Sequence, residues 1–482
     1  MAAGATIIRD LVAGTAAMRK ADKLYLPKSE AESNESYAAR KARSVLFNAT
    51  GKTIEDMTGK VFAKPVTLEK DVPQVLRDYA ENIDFAGRHL NVFAKDVFFD
   101  SLQAGVGYIY VDMPPKVERP DGKPATMADE AAAGIRPYLT FVPLEQLIGW
   151  KSAIVAGVET LTQVRIKECV TEDDGEFGEK EIEQIRVVEP GRWSTYRKDT
   201  NGKDWVVYET GTIQTTKGAP LSGIPIVPVY VNRSGFMQGK PPFAKLAELN
   251  VAHWQSSSDQ RNILHVARVP ILYGAGFQKD ETIEIGASKM VQSSSSEAKL
   301  IYVEHSGAAI NAGRDDLKDL EFQMQAMGLQ LLIPTPGGKT ATGEIRDDAK
   351  INSPLAMMAR GLQDALEQAF VFMAEFAGET FARNPDGGSI VVNTDFGVQS
   401  GNAADAQMLL DAVNAGQLDK ETFWHEWQRR GILSDSFDPE VAAARIAEVR
   451  SLTRGRGADV VLHMANTPAS FVEGIEMLKR VS

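Results

Sequence analysis

Residues 241–270, PPFAKLAELNVAHWQSSSDQRNILHVARVP, constrain the fold more than any other stretch. Two prolines open it, where a missing N–H costs nothing in the first helical turn, and Pro270 closes it. The pattern between them predicts a helix of about 26 residues, roughly 39 Å long at 1.5 Å per residue. Its middle, Gln255 to Asn262, is almost wholly polar, so no apolar stripe runs along the whole length. Such a helix is expected to be partly exposed, or to pack against copies of itself through polar contacts.

Two strand candidates follow, ILYGAGF and KLIYVEH, separated by the Ser-rich and exposed-looking SKMVQSSSSEAK. The pattern then predicts a second helix over 314–332, RDDLKDLEFQMQAMGLQLL, with acids in its first turn where the helix dipole favours negative charge. Residues 331–345, LLIPTPGGKTATGEI, stop that helix with two prolines and continue without a large side chain. Beyond them Ser353 is placed as an N-cap with Pro354 at the first helical position. Met358, Leu362, Leu366, Phe370 and Met373 then trace one apolar face towards Phe381. SIVVNTDFGVQ reads as a strand and residues 402–450 as short helices, with no repeat of fixed period.

The N-terminal half mixes both periodicities. In Ser36 to Phe62, Tyr37, Val45, Ile54, Met57 and Val61 recur at near-helical spacing, which predicts one or two amphipathic helices. A further helix carries Leu90, Phe93, Val97 and Leu102 on one face and is closed by Gly105 and Gly107, before an alternating strand VGYIYVDM. Residues 113–135 have the Pro- and Ala-rich composition of an exposed loop, and 138–230 alternate short β patterns with turns, as in an antiparallel β region. The fold class is therefore α+β. At 482 residues the chain exceeds one hydrophobic core, and roughly two to four substructures are expected.

Charge and cysteine usage exclude several function classes. The chain has 53 Lys and Arg against 65 Asp and Glu, a net charge of -12, the wrong sign for a protein that clamps nucleic acid by neutralising phosphates. Cys169 is the single cysteine, so disulfides within the chain and cysteine-based zinc or iron–sulfur sites are excluded. MAAGATIIRDLVAGTAAMRK lacks a basic segment before its apolar residues, and no run reaches about 18 apolar residues; neither a secretion signal nor a membrane span is expected.

Gly337-Gly338-Lys339-Thr340 ends like a phosphate-binding P-loop, yet Ile333 stands where the first glycine belongs. Pro334 and Pro336 also remove backbone donors that would hold phosphate. YGAGFQKD starts like a dinucleotide fingerprint but has Lys279 at the third glycine position. The six histidines lack close metal spacing; His253 and His265 share a helix but lie twelve positions apart. No Gly-x-Ser-x-Gly elbow is present, and the pairs Asp315-Asp316 and Asp347-Asp348 read as helix-end acids. Trp424 and Trp427, flanking His425, read as helix packing. No cofactor or metal is expected. Residues 453–482, with GADVV, a small-residue loop containing Pro468, and EGIEMLKR, resemble a late fragment of the nucleotide-binding domain of zinc-type medium-chain dehydrogenases. That resemblance omits the cofactor fingerprint, the hydride site and the zinc ligands.

A second resemblance covers far more of the chain. YLPKSEAESNESYAARKARSVLFNATGKTIEDMTGKVFAKP, AGVGYIYVDMP and NVAHWQSSSDQRNILHVARVPILYGAGF resemble a phage and prophage family of portal-like proteins, over roughly residues 20–450. The resemblance implies a homo-oligomeric ring of roughly twelve copies at one capsid vertex. It is a non-enzymatic channel for double-stranded DNA packaging and ejection, assembled in the host bacterial cytoplasm. The implied partners are the terminase large subunit, a head-tail adaptor, and the major capsid or scaffold protein. It divides the chain into a wing (1–240 and 345–400), stem helices (241–268 and 312–332), a clip (269–311), crown helices (401–450) and a tail (451–482). Residues 333–344 fall at the tunnel loop, which implies that Pro334, Thr335, Pro336, Gly337, Gly338, Lys339, Thr340 and Thr342 line the DNA channel. The competing expectations are a nucleotide-dependent oxidoreductase or NTPase, resting on GGKT and the tail, and a head-associated adaptor or scaffold that is not itself the channel.

Overall fold

The computed structural model describes residues 2–114, 133–199, 201–216, 218–221, 223–268, 271–276, 297–303, 308–330, 353–378, 388–394 and 396, with scattered positions between 413 and 448. Two compact units divide the chain, Met1–Phe396 and Gly397–Ser482. In the second, the described residues include the helical 422–424, opened by Asp419, whose carboxylate accepts from the Thr422 N–H at 2.9 Å.

The first unit is α+β. An N-terminal arm contains α1 (Ala2–Ala13), α2 (Thr15–Lys20), α3 (Asn34–Arg43) and α4 (Ala49–Val61). Local signals set these helices. Ser33 accepts from the Ser36 N–H to cap α3, and Asn48 accepts from Gly51 to cap α4. Tyr37, Ile54, Met57 and Val61 are buried as their spacing predicts. Val45 is not: it lies between α3 and α4 and is 43% exposed. Ala5, Ile8 and Leu11 of α1 are fully buried. Among the described residues, no helix is long and apolar enough to cross a membrane.

Next come β1 (Thr67–Leu68), α5 (Gln74–Ala80) and α6 (Leu90–Ala104). Helix α6 ends where expected, at Gly105 in the left-handed region (φ 84°), and a Cβ there would lie 2.2 Å from the Lys240 carbonyl oxygen. Leu90, Phe93, Val97 and Leu102 are all buried. Strand β2 (Val106–Asp112) is the centre of an antiparallel sheet with β3 (Tyr138–Val142) and, on its other edge, β9 (Ile226–Tyr230). The alternation seen in its sequence does not make one face wet. Val106 to Val111 are buried throughout, and the Tyr108 hydroxyl donates to the Met237 carbonyl at 2.8 Å.

Between β3 and β9 a five-stranded antiparallel meander is inserted: β4 (Leu147–Val155), β5 (Val158–Asp174), β6 (Gly178–Glu189), β7 (Arg192–Lys198) and β8 (Trp205–Thr212). It meets the small sheet through Val164, Ile166 and Val188, which are buried, and through Arg186, which bonds Glu168 at 2.6 Å and lies 3.8 Å from Asp112. The short pair β10 (Arg233–Gly235) and β11 (Gln238–Gly239) leads into α7 (Ala244–Ala267).

Helix α7 matches the predicted proline-bounded helix. Strands β12 (Ile271–Ala275) and β13 (Lys299–Val303) pair antiparallel, Ile271 opposite Val303 and Ala275 opposite Lys299. The intervening Ser-rich segment lies outside the described residues. Helix α8 (Ala308–Gln330) begins six residues earlier than its charges suggest. Asp315 and Asp316 therefore sit beyond its first turn, and the dipole no longer accounts for them. Helix α9 (Pro354–Phe376) starts as predicted: Ser353 accepts from the Ala356 N–H at 3.2 Å, and Met358, Leu362, Leu366, Phe370 and Met373 are buried. Phe381 lies outside the described residues. Among the described residues of SIVVNTDFGVQ, only β14 (Ile390–Val391) is strand, and it pairs with β1. Both α6 and α9 pack on β2 and β9.

Candidate functional site

The part of the fold that stands out is α7, the β12–β13 hairpin and α8. Gln260 donates to the Ile310 carbonyl at 2.7 Å, while His253 Nε2 lies 3.3 Å from Glu321. As the number rises on α7 it falls in the middle of contact on α8 from 321 to 310, so the helices are antiparallel and the paired hairpin joins one end of them. On its other sides α7 packs against α1, α3 and α4.

The polar middle of α7 is partly exposed, as expected, at Asp259 and Arg261, but most of it is turned inward. Ser257, Ser258 and Gln260 are buried, and Asn250 and His253 in the preceding turns are buried as well. Asn250, His253, Ser258 and Gln260 each find a partner in this chain. The Asn250 side chain accepts from the Thr50 N–H at 2.9 Å and donates to the Phe47 carbonyl at 2.8 Å, so α7 satisfies groups at the start of α4. Gln255 donates to the Tyr25 carbonyl at 3.0 Å, and the Ser258 and Ser44 hydroxyls are 2.8 Å apart.

Arg40 is the centre of this clasp. It is 6% exposed and donates twice to Glu32, at 2.8 and 2.9 Å, and to the Pro27 carbonyl at 2.9 Å. It also reaches Ser258 and Asp259 on α7, each at 3.3 Å. The hydrogen bond from Arg40 holds the Glu32 carboxyl below the ordinary range, while burial raises that of Asp259 despite the same guanidinium.

Beside the clasp opens a cleft of about 870 Å³ between α7, α8 and the link from α3 to α4. Arg43, Arg261, His265, Arg268 and Arg314 line it, against one acid, Glu321. Arg43 donates to Asn262 at 2.7 Å, and no acid pairs with Arg43, Arg261, Arg268 or Arg314 among the described residues. Val45 and Phe47, 43% and 42% exposed, form an apolar lip, and the Phe47 ring lies tilted against that of His253 with centroids 5.2 Å apart. In a chain of net charge -12 this is a local excess of cations, suited to carboxylate or phosphate groups.

Sequence reasoning placed the site elsewhere. Pro334, Thr335, Pro336, Gly337, Gly338, Lys339, Thr340 and Thr342 all lie outside the described residues. It missed the arginine cleft, whose members come from segments about two hundred positions apart in sequence. One signal was available: Arg261, His265 and Arg268 are spaced i, i+4, i+7, which puts two arginines and a histidine on one helix face. Among the described residues no group of three or more His, Cys, Asp or Glu could hold a metal ion.

Comparison with known proteins adds the following. A family model described as a domain of unknown function, DUF4055, matches residues 242–377, which run from the start of α7 to the end of α9. No curated protein matches the chain. Among solved structures, the chain is similar to one described as the neck of an empty GTA particle computed with C6 symmetry: 12% identity, 77% of this chain and 87% of that chain, TM-score 0.41. It is also similar to the virion of a native gene transfer agent (GTA) particle, at 12% identity over 79% of this chain and 88% of that one, TM-score 0.40. A third, the neck of a native GTA particle computed with C12 symmetry, aligns at 12% identity over 80% and 89%, TM-score 0.41. At these scores the likeness carries no weight for fold or function.

Proposed function

We propose that this chain is a portal-type subunit of a tailed-phage or prophage-derived particle, forming a ring through which double-stranded DNA passes, with no catalysis of its own. One observation carries the reading. An antiparallel helix pair, α7 and α8, bears a paired hairpin at one end, and this unit is followed in sequence by the Pro- and Gly-rich residues 333–344 and then by a long capped helix. That is the stem, clip, stem and tunnel-loop order implied by the resemblance of residues 20–450 to portal-like proteins.

The chemistry is consistent with a conduit. A net charge of -12 makes walls that repel phosphate, so duplex DNA slides instead of sticking. Residues 333–344 are mostly small residues and prolines, a composition suited to a crowded axis, and Lys339 is their only charged residue before Glu344. Repeated around a ring, Lys339 offers weak phosphate contacts. The hairpin end of the stem is assigned to docking the terminase motor and, later, the head-tail adaptor.

Negative-stain imaging of the purified chain tests the reading and is expected to show rings with a central hole. Monomers or filaments at every salt concentration overturn it. Within the ring reading, Lys339→Ala is expected to leave assembly intact and to impair DNA packaging or retention; loss of the ring would place Lys339 in a subunit interface instead.

A further inference from the structure

We propose that the arginine cleft is one half of the contact between neighbouring copies, and that the outer face of α8 is the other half. This rests on the ring reading above and specifies how the ring closes.

The two surfaces complement each other in charge and in apolar content. On α8, Asp315, Asp319 and Phe322 are exposed, Phe322 at 72%. At about 100° per residue they fall within about 60° of one another, and about 80–140° around the helix from Arg314. Arg314 turns towards the cleft, with Leu317 and Glu321, so the acidic face and the cleft belong to different sides of the same subunit. Among the described residues Asp315 has one cationic partner, Lys318 at 3.5 Å, an exposed pair of little energetic weight. Asp319 has no ion pair among the described residues.

A neighbouring α8 laid over the cleft would set Phe322 on the Val45 and Phe47 lip, with Asp315 and Asp319 against Arg261, Arg268 and Arg314. An apolar centre inside a charged rim is the usual anatomy of a protein interface. The two halves lie on different faces and are not self-complementary, so the contact is heterologous. Each copy offers one half to each neighbour, and such contacts generate closed rings or open filaments, not two-fold dimers. The cleft therefore serves a second copy of this chain instead of DNA phosphate.

Charge reversal tests this with an internal control. Arg261→Glu combined with Arg268→Glu reverses the cleft, and Asp315→Arg combined with Asp319→Arg reverses the helix face. Each variant alone brings like charges together and is expected to raise the concentration for half-assembly by more than about tenfold, read by mass photometry and negative stain. An equimolar mixture is expected to regain rings, because each reversed half then meets its complement in an alternating order. Far-UV circular dichroism and thermal melts equal to wild type show that both variants fold.

Rings formed by either variant alone as readily as by wild type overturn the interface and leave the portal reading standing. So does a mixture of two well-folded variants that stays unassembled. Reversal of the cleft that spares the ring but abolishes retention of duplex DNA assigns the arginines to DNA and likewise overturns the proposal. A wild-type chain that forms no ring removes both the portal reading and this interface.

Discussion

Replacing Arg40 by alanine tests whether the polar clasp, and not apolar packing alone, fixes α7 to the N-terminal arm. The guanidinium makes two short bonds to Glu32 and one to the Pro27 carbonyl, and it reaches Ser258 and Asp259 across the helix interface. Removing one partner of a buried pair costs about 3–5 kcal/mol, because the other charge stays desolvated. Here the lower end applies: the Glu32 side chain keeps 11% exposure and can turn to water, and the Asp259 side chain, 67% exposed, keeps contact with solvent although its partial burial is felt. A loss of about 3 kcal/mol corresponds to roughly a hundredfold in an opening equilibrium. Amide hydrogen exchange, read residue by residue, should therefore accelerate about a hundredfold in α3 and around Ser258, with β2 and α9 far less affected. Arg40→Lys restores the charge but not the two-pronged geometry and is expected to recover less than half of the loss. Acceleration below about threefold in a folded Arg40→Ala variant would refute the clasp, since that is under 1 kcal/mol.

Asn250→Ala leaves the Thr50 N–H without its partner at a fully buried position, while the Phe47 carbonyl keeps the Ala49 N–H at 2.9 Å, and should cost about 1–3 kcal/mol, seen as a lower denaturant midpoint. Gly105→Ala has no room, because its Cβ would enter the Lys240 carbonyl while the backbone stays at positive φ; loss of soluble folded protein is expected by circular dichroism. Glu32 titrates below its unfolded value because Arg40 donates to it, so its contribution to stability is complete above about pH 4.3 and is lost as pH falls through the lower folded value. Comparing acid unfolding of wild type with Glu32→Gln should show the curves converging below that pH and separating above it.

Much of the fold is visible in sequence where a local signal has one physical solution. Ser353-Pro354 can only open a helix, and Gly105 after an apolar-faced helix can only close one; both do. Where two solutions exist, the pattern misleads. The residues Ala308 to Gly313 carry no charge and stand before the start predicted at 314, yet they extend α8, where Gly313 sits against Gln260, close enough that a Cβ would lie 2.3 Å from its side-chain oxygen. Val45 keeps helical spacing with Tyr37 but falls in a break between two helices, where it serves as the lip of a cleft. Tyr108 and Tyr110 look like the wet side of an alternating strand, yet both are buried.

The polar middle of α7 shows why composition cannot separate an exposed helix from an embedded one. Polar residues are costly to bury only when unpaired. Here the pairing groups are backbone atoms of other segments: the Thr50 N–H in the first turn of α4, otherwise unpaired within that helix, the carbonyls of Tyr25 and Phe47 in connecting segments, and the Ile310 carbonyl in the first turn of α8. A helix surrounded by the ends and links of other helices has to present side-chain donors and acceptors to them, and an apolar stripe could not replace these. The same arrangement ties the hairpin-bearing helix pair to the arm through directional bonds. A displacement of the hairpin is therefore resisted by hydrogen bonds at Asn250, Gln255, Ser258 and Arg40, as well as by apolar packing. It also explains why the cleft escaped notice in sequence: Arg43 joins Arg261 and Arg314 only because the clasp at Arg40 and Ser258 draws the end of α3 onto α7.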